Sequence, residues 1–161
     1  SCNKNFIANL SYADLSDINL VNADLSKADL TGVNLNRSDL RNANLLGTKL
    51  YEASLVNAKL NGCSLTEARL MGANLEETEF EDASLKGTVF SEIQINYLEE
   101  KYDIRRERAI TKETLKLMED LKRKNYGRNN VILSHSEIDA LLEALSSGEL
   151  DVDEEDMDKK M

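Results

Sequence analysis

Tryptophan is absent from this chain of 161 residues, and aromatic residues make up only 5% of it. Aromatic side chains supply much of the bulk of a conventional core, so the interior here must be narrow. Histidine occurs once, at His135, and cysteine twice, at Cys2 and Cys63. That set offers none of the Cys/His spacings of a metal site, and no glycine-rich phosphate loop is present. No nucleophile, base and orienting group are gathered in one motif, so neither catalysis nor a cofactor is expected. Two cysteines this far apart in sequence, one of them terminal, do not suggest a disulfide and fit a reducing compartment. No apolar run approaches the roughly 18 residues of a membrane span, and no signal peptide is visible. A bacterial cytoplasmic location is the expectation. The chain begins at Ser1 rather than Met, which leaves room for an upstream segment.

What the chain does have is a lattice. Every fifth residue from Leu10 to Phe90 is leucine, except Phe80 and Phe90. Two residues before each comes a small or β-branched side chain: mostly Ala, with Ile18, Val33, Ser38, Thr48, Cys63, Thr78 and Thr88 elsewhere. At about 100° per residue, leucines five apart would rotate by roughly 140° and leave no continuous helical stripe. A straight strand would send alternate leucines to opposite faces. The chain must therefore turn once per repeat. With corners near 90°, four repeats close a square coil, and coils stack at about 4.8 Å. Leucines twenty apart, Leu10, Leu30, Leu50 and Leu70 and then Phe90, fall in one column of the core, with Phe80 in another. Glycines 32, 47, 62, 72 and 87 fall at corners.

Ala23-Asp24-Leu25-Ser26-Lys27, Ala28-Asp29-Leu30-Thr31-Gly32 and Ala73-Asn74-Leu75-Glu76-Glu77 match the pattern A(D/N)LXX. The chain thereby resembles the pentapeptide-repeat family over residues 6–92. The resemblance implies an all-β solenoid, a right-handed quadrilateral β-helix of about four coils, here followed by short C-terminal α-helices. Three segments are expected: the β-helix over 1–92, a capping segment with a helix over 93–130, and a short amphipathic helix with an acidic disordered tail over 131–161.

Charge divides the same way. The formal net charge is −10, with the solenoid acidic, residues 93–130 basic and the remainder strongly acidic. Ile93, Ile95, Tyr97 and Leu98 form an apolar cluster placed to close the last coil. Residues 99–110 read as a solvated charged segment rather than a nucleic-acid patch, because Arg105, Arg106 and Arg108 stand among acids. A helix is expected over 112–124, with Leu115, Met118 and Leu121 in one stripe. It is suited to docking on its own chain or to homodimerisation through the C-terminal helices. A second helix follows Ser134, which with Glu137 makes a capping box; Leu133 and Ile138 make a hydrophobic staple. Ile138, Leu141, Leu142 and Leu145 recur at helical spacing.

Residues 132–142, Ile-Leu-Ser-His-Ser-Glu-Ile-Asp-Ala-Leu-Leu, resemble the N-terminal ILSxxEIDALL segment of flagellar motor switch proteins of the FliM and FliY kind. In that family the segment folds as a helix on a phosphorylated chemotaxis response regulator. The resemblance implies Ile138, Leu141 and Leu142 as apolar anchors, with Asp139 setting orientation. Here the motif lies towards the C-terminal end, and nothing else in the chain is similar to a switch protein.

Outward apolar side chains supply a second candidate surface. Tyr51 and Met71 lie twenty apart at one corner, with Leu46 and Val56 one corner away on either side, and a contiguous apolar patch would suggest docking, of the chain's own C-terminal helix in the simplest case or of another protein in the alternative. A dense acidic patch, Glu76, Glu77, Glu79, Glu81 and Asp82, is placed to meet Arg105, Arg106 and Arg108. The expected function is a non-enzymatic interaction module: a rigid rod displaying a C-terminal helical motif, with a response regulator as partner. The alternative follows from the family's best-known activity, in which acidic rods mimic duplex DNA and bind a type II topoisomerase. Outward Lys27, Arg37, Arg41, Lys49, Lys59 and Arg69 interrupt the acidic stripe that mimicry needs. Neither nucleic acid nor membrane is an expected partner.

Overall fold

The computed structural model describes residues 7–102, 109–110 and 134–146. Two compact units divide the chain, Ser1–Thr114 and Leu115–Met161. The first is the solenoid. Parallel bridges join residues twenty apart along four ladders, such as Asn9–Asp29–Lys49–Arg69–Val89 and Asp14–Asn34–Ser54–Asn74. A step of twenty on four sides is a square coil of four repeats. Within each contact the Leu N–H donates to the coil above (Leu30 to Lys49 O, 2.7 Å), and the residue before it donates to the coil below (Asp29 to Ala8 O, 2.9 Å).

The corners share one conformation. At nearly every corner the residue three after the leucine donates back to the leucine carbonyl, as Ala13 does to Leu10 at 3.1 Å. The second of the two residues between them has φ of 53–77° at every repeat from 12 to 87, as a type II turn requires. Eleven of these residues are not glycine, among them Lys27, Arg37 and Glu52. For an L-residue this region costs about 1–2 kcal/mol, so corner and ladder hydrogen bonds must offset it at each turn. Gly32 has a further reason to lack a side chain: a Cβ there would lie 2.5 Å from the Tyr12 ring one coil below.

Where Asp or Asn precedes the leucine, it has a local role. Its Oδ1 accepts the N–H two residues on, as in Asp24 to Ser26 (3.1 Å) and Asn34 to Asn36 (3.0 Å), bracing the turn from outside. Inside, Leu30, Leu50 and Leu70 are fully buried, and Phe80 and Phe90 nearly so. Leu10 is only half-buried, with the other leucines of the first coil, because a coil covers them on one side only. Polar groups two before the leucine are satisfied inward: Thr48, Cys63, Thr78 and Thr88 each donate to a leucine carbonyl 23 residues earlier.

The lattice ends in strand β1 (Thr88–Val89) and then helix α1 (Glu92–Tyr102). Ser91 caps α1 in a box with Gln94: the Ser91 N–H donates to Gln94 Oε1 (2.7 Å) and the Gln94 N–H to Ser91 Oγ (3.3 Å). Ile95 and Leu98 are buried and Tyr97 half-buried, so the apolar cluster at 93–98 does close the coil. Ile93 departs from that expectation: it is 81% exposed, since a helix turns it away from Ile95 and Leu98. Gln94 Nε2 donates to the carbonyls of Leu70 (2.6 Å) and Ala73 (2.9 Å). In a continuing rod the Ala73 carbonyl would take the backbone N–H of residue 94, as Ala68 takes that of Val89. The side chain of Gln94 therefore stands in for the missing next coil. Strand β2 (Ala109–Ile110) then pairs in parallel with β1, Thr88 opposite Ala109 and Val89 opposite Ile110, adding a further rung to one ladder.

In the second unit, helix α2 spans His135–Ser146. The helix expected over 112–124, the arginines at 105, 106 and 108 and the acidic tail lie outside the described residues.

Candidate interaction surfaces

The rod's outward charges are neutralised at several points. Arg37 grips Asp17 one coil below through two hydrogen bonds of 2.8 Å, and Arg41 pairs with Asp39 at 2.7 Å. Each arginine holds its partner carboxyl below the usual range, while Ser16 and Ser26 do the same for Asp14 and Asp24 by hydrogen bonding. Along one ladder the order is Asn19, Asp39, Lys59, Glu79. Signs alternate there rather than forming a stripe.

Glu76, Glu77, Glu79, Glu81 and Asp82 are all exposed on the last coils. Their described cationic partner comes from α1. Lys101 pairs with Glu77, and its Nζ lies 5.6 Å from the ring centres of both Tyr97 and Tyr102. Glu77 first, and the Tyr97 hydroxyl second, push the Lys101 ammonium well above its ordinary value. Tyr102 also meets Phe80 edge to face at 5.8 Å, tying α1 to the last coils. Burial pushes the Tyr102 hydroxyl up. Nothing in the spacing of the acidic residues pointed to Lys101, because the pairing depends on how α1 crosses the coil.

Tyr51 and Met71 do not form the exposed patch that their spacing suggests. Tyr51 is fully buried, and Met71, Leu46 and Val56 are half-buried. A corner side chain is flanked by its counterparts above and below, here Thr31 and Met71.

Helix α2 begins as its sequence predicts. The Ser134 N–H donates to Glu137 Oε2 (2.9 Å) and the Glu137 N–H to Ser134 Oγ (3.3 Å), a reciprocal capping box. Ile138 and Leu142 are buried, Asp139 and His135 half-buried, and Ser136, Ala140 and Glu143 exposed. The side chain of Leu141, and Leu133 of the expected staple, lie outside the described residues. Among the described residues no group of His, Cys, Asp or Glu is arranged to hold a metal ion. Cys63 is buried, its thiol pushed up to about 11 by burial.

The pentapeptide-repeats family pattern matches residues 8–47 and 53–92 in eight copies. The chain belongs to the pentapeptide-repeat family. Its repeats are of the kind that fold as right-handed quadrilateral β-helices. A pentapeptide repeat protein (Rfr23) from the cyanobacterium Cyanothece 51142 is 41% identical, over 52% of this chain and 58% of that one, with a TM-score of 0.51. Another, alr5209 from Nostoc Pcc 7120, is 36% identical over 53% of this chain and 71% of that one, with a TM-score of 0.52. The chain thus spans less than two-thirds of the Cyanothece protein. QnrB1, a plasmid-mediated fluoroquinolone resistance protein, is 23% identical over 52% of this chain and 51% of that one; its TM-score of 0.28 supports no shared function. No curated protein matches the chain. Among the described residues no helix is long and apolar enough to cross a membrane.

Proposed function

We propose that this pentapeptide-repeat chain is a non-enzymatic protein-interaction module. Its rod is a rigid support, and α2 is a helical binding motif for the activated receiver domain of a chemotaxis-type response regulator. The observation that carries the reading is the reciprocal Ser134–Glu137 box at the head of the segment resembling the switch-protein peptide. A helix of this length is marginal alone, so a cap that fixes its start favours recognition as a preformed helix. Ile138, Leu141 and Leu142 are the anchors, and Asp139 sets polarity at their edge.

The test is titration of the full chain with a chemotaxis receiver domain, with and without beryllofluoride activation. Binding should require activation. Asp139→Lys, or Leu141→Ala with Leu142→Ala, should weaken it at least ~10-fold while the circular dichroism of the rod is unchanged. An activated receiver domain that fails to bind the unmodified chain would refute the reading. Duplex mimicry is less well supported: it needs a continuous acidic stripe, whereas Arg37 and Arg41 neutralise Asp17 and Asp39 on the rod.

A further inference from the structure

The two ends of the rod are finished differently. At the last coil Gln94 and β2 take up backbone groups that a further coil would pair, and α1 covers the core with Ile95 and Leu98. The first coil has no such cover among the described residues. In the second coil Asp29, Asn34, Asp39 and Asn44 each donate an N–H to the first coil (Asp29 to Ala8 O, 2.9 Å) and accept a leucine N–H from it (Leu10 to Asp29 O, 2.8 Å). Asn9, Asp14, Asn19 and Asp24 hold the same places one coil earlier, so the N–H and C=O of each point out along the rod, with no partner among the described residues. All four are exposed, whereas their second-coil counterparts are half-buried, and Leu10, Leu15, Leu20 and Leu25 remain half-buried inside them. Such an edge is a template for another strand.

We infer that the chain forms a head-to-head homodimer through its first coils. A single extended segment would cover one side of the square; a second copy presents matching groups on all four. Head-to-tail stacking is blocked because the last coil is closed, so the contact is twofold and ends at two copies. A twofold axis perpendicular to the rod sets the facing strands antiparallel, and there two residues with N–H and C=O on the facing edge exchange both bonds. Charge and climb choose the axis. The order around the coil is Asn, Asp, Asn, Asp, so an axis through a side sets Asp against Asp, whereas one through a corner sets every Asp against an Asn. The coil also climbs by about 4.8 Å over its four sides, and the gap is even only when the axis passes through the mid-coil corner between Asp14 and Asn19. Asp14 then faces Asn19 of the partner subunit, and Asp24 faces Asn9 of the partner subunit. Asp17, at that corner, is already neutralised by Arg37, and Ile7, 59% exposed, lies at the opposite corner. The four bridges, each of two hydrogen bonds, pair both open ends and cover the first-coil leucines.

Sedimentation equilibrium on the full chain should show association to twice the monomer mass by ~0.1 mM, and a monomer at that concentration overturns the proposal. Asn9→Asp with Asn19→Asp keeps each corner brace, because Asp14 and Asp24 already make it, yet sets like charges across all four bridges. The pair should weaken the dimer at least ~10-fold at low salt, with recovery as salt rises and with the circular dichroism of the rod unchanged. A dimer indifferent to these substitutions overturns the proposal. In a Cys2→Ser background, Ser16→Cys lies beside the axis and should be joined across the dimer by a short bismaleimide, while buried Cys63 stays unreactive. Association without that link places the interface elsewhere, as at the C-terminal helices, and overturns the proposal as well. None of these outcomes depends on whether a receiver domain binds.

Discussion

Replacing Gln94 with leucine should uncouple the cap from the rod. Leucine is close in volume and would pack beside Ile95 and Leu98, so the loss is almost wholly polar. Gln94 Nε2 is the described donor to the Ala73 carbonyl, whereas the Leu70 carbonyl keeps the Ala73 N–H at 3.0 Å. The Ser91 N–H loses its acceptor as well, though Ser91 is half-buried and water can replace part of that bond. One buried orphan at about 1–3 kcal/mol and one partly hydrated group give a destabilisation of ~2–4 kcal/mol. Urea unfolding followed by circular dichroism measures it, with hydrogen exchange expected to show the last coil opening first.

A Gln94→Glu variant sharpens the test. At neutral pH its carboxylate would face the Leu70 and Ala73 carbonyls and repel both; protonated, it can donate one hydrogen bond again. Its folded pKa is therefore raised above the unfolded value near 4.3, so relative to wild type it should be most stable below that pH and lose stability as pH rises through the folded pKa. A Gln94→Leu protein within ~0.5 kcal/mol of wild type, or a Gln94→Glu protein with no pH-dependent difference, would refute the claim that this side chain replaces a coil.

Two further outcomes follow from the interior and the corners. Cys63, pushed up to about 11 and donating from Sγ to the Leu40 carbonyl, should resist thiol reagents at pH 8 until the rod unfolds. Cys63→Thr should stay within about 1 kcal/mol of wild type, since Thr48, Thr78 and Thr88 make the equivalent bond. A thermal melt as a function of pH checks the corners. Asp14, Asp17, Asp24 and Asp39 are held below the ordinary aspartate value of about 3.9, so they stabilise the fold above that pH, and the contribution is lost as pH falls through their folded values. Asp17→Asn should remove part of that acid sensitivity, and an unchanged acid limb would count against the Arg37 pairing.

Much of the fold was legible because the period is short and every copy repeats the same local problem. A leucine every five residues admits neither helix nor straight strand, so the square coil, its twenty-residue step and the glycine corners follow from spacing alone. The Ser134 box was equally legible, since both its partners lie within one turn. Positive φ at Lys27, Arg37 and Glu52 was not, because nothing about a charged side chain signals the left-handed region.

The sequence by itself determined the rod, its leucine core and the start of α2. Tertiary structure decided what the ends and corners do. Gln94 looks like a polar intruder in an apolar cluster until the carbonyl of Ala73, 21 residues earlier, is left without a coil above it. Lys101 meets Glu77 only because α1 crosses the last coil, and Tyr51 is buried although its position in the repeat points outward. Period and capping are written in neighbours along the chain, whereas burial and hydrogen-bond satisfaction at a surface depend on groups brought together from far apart in it.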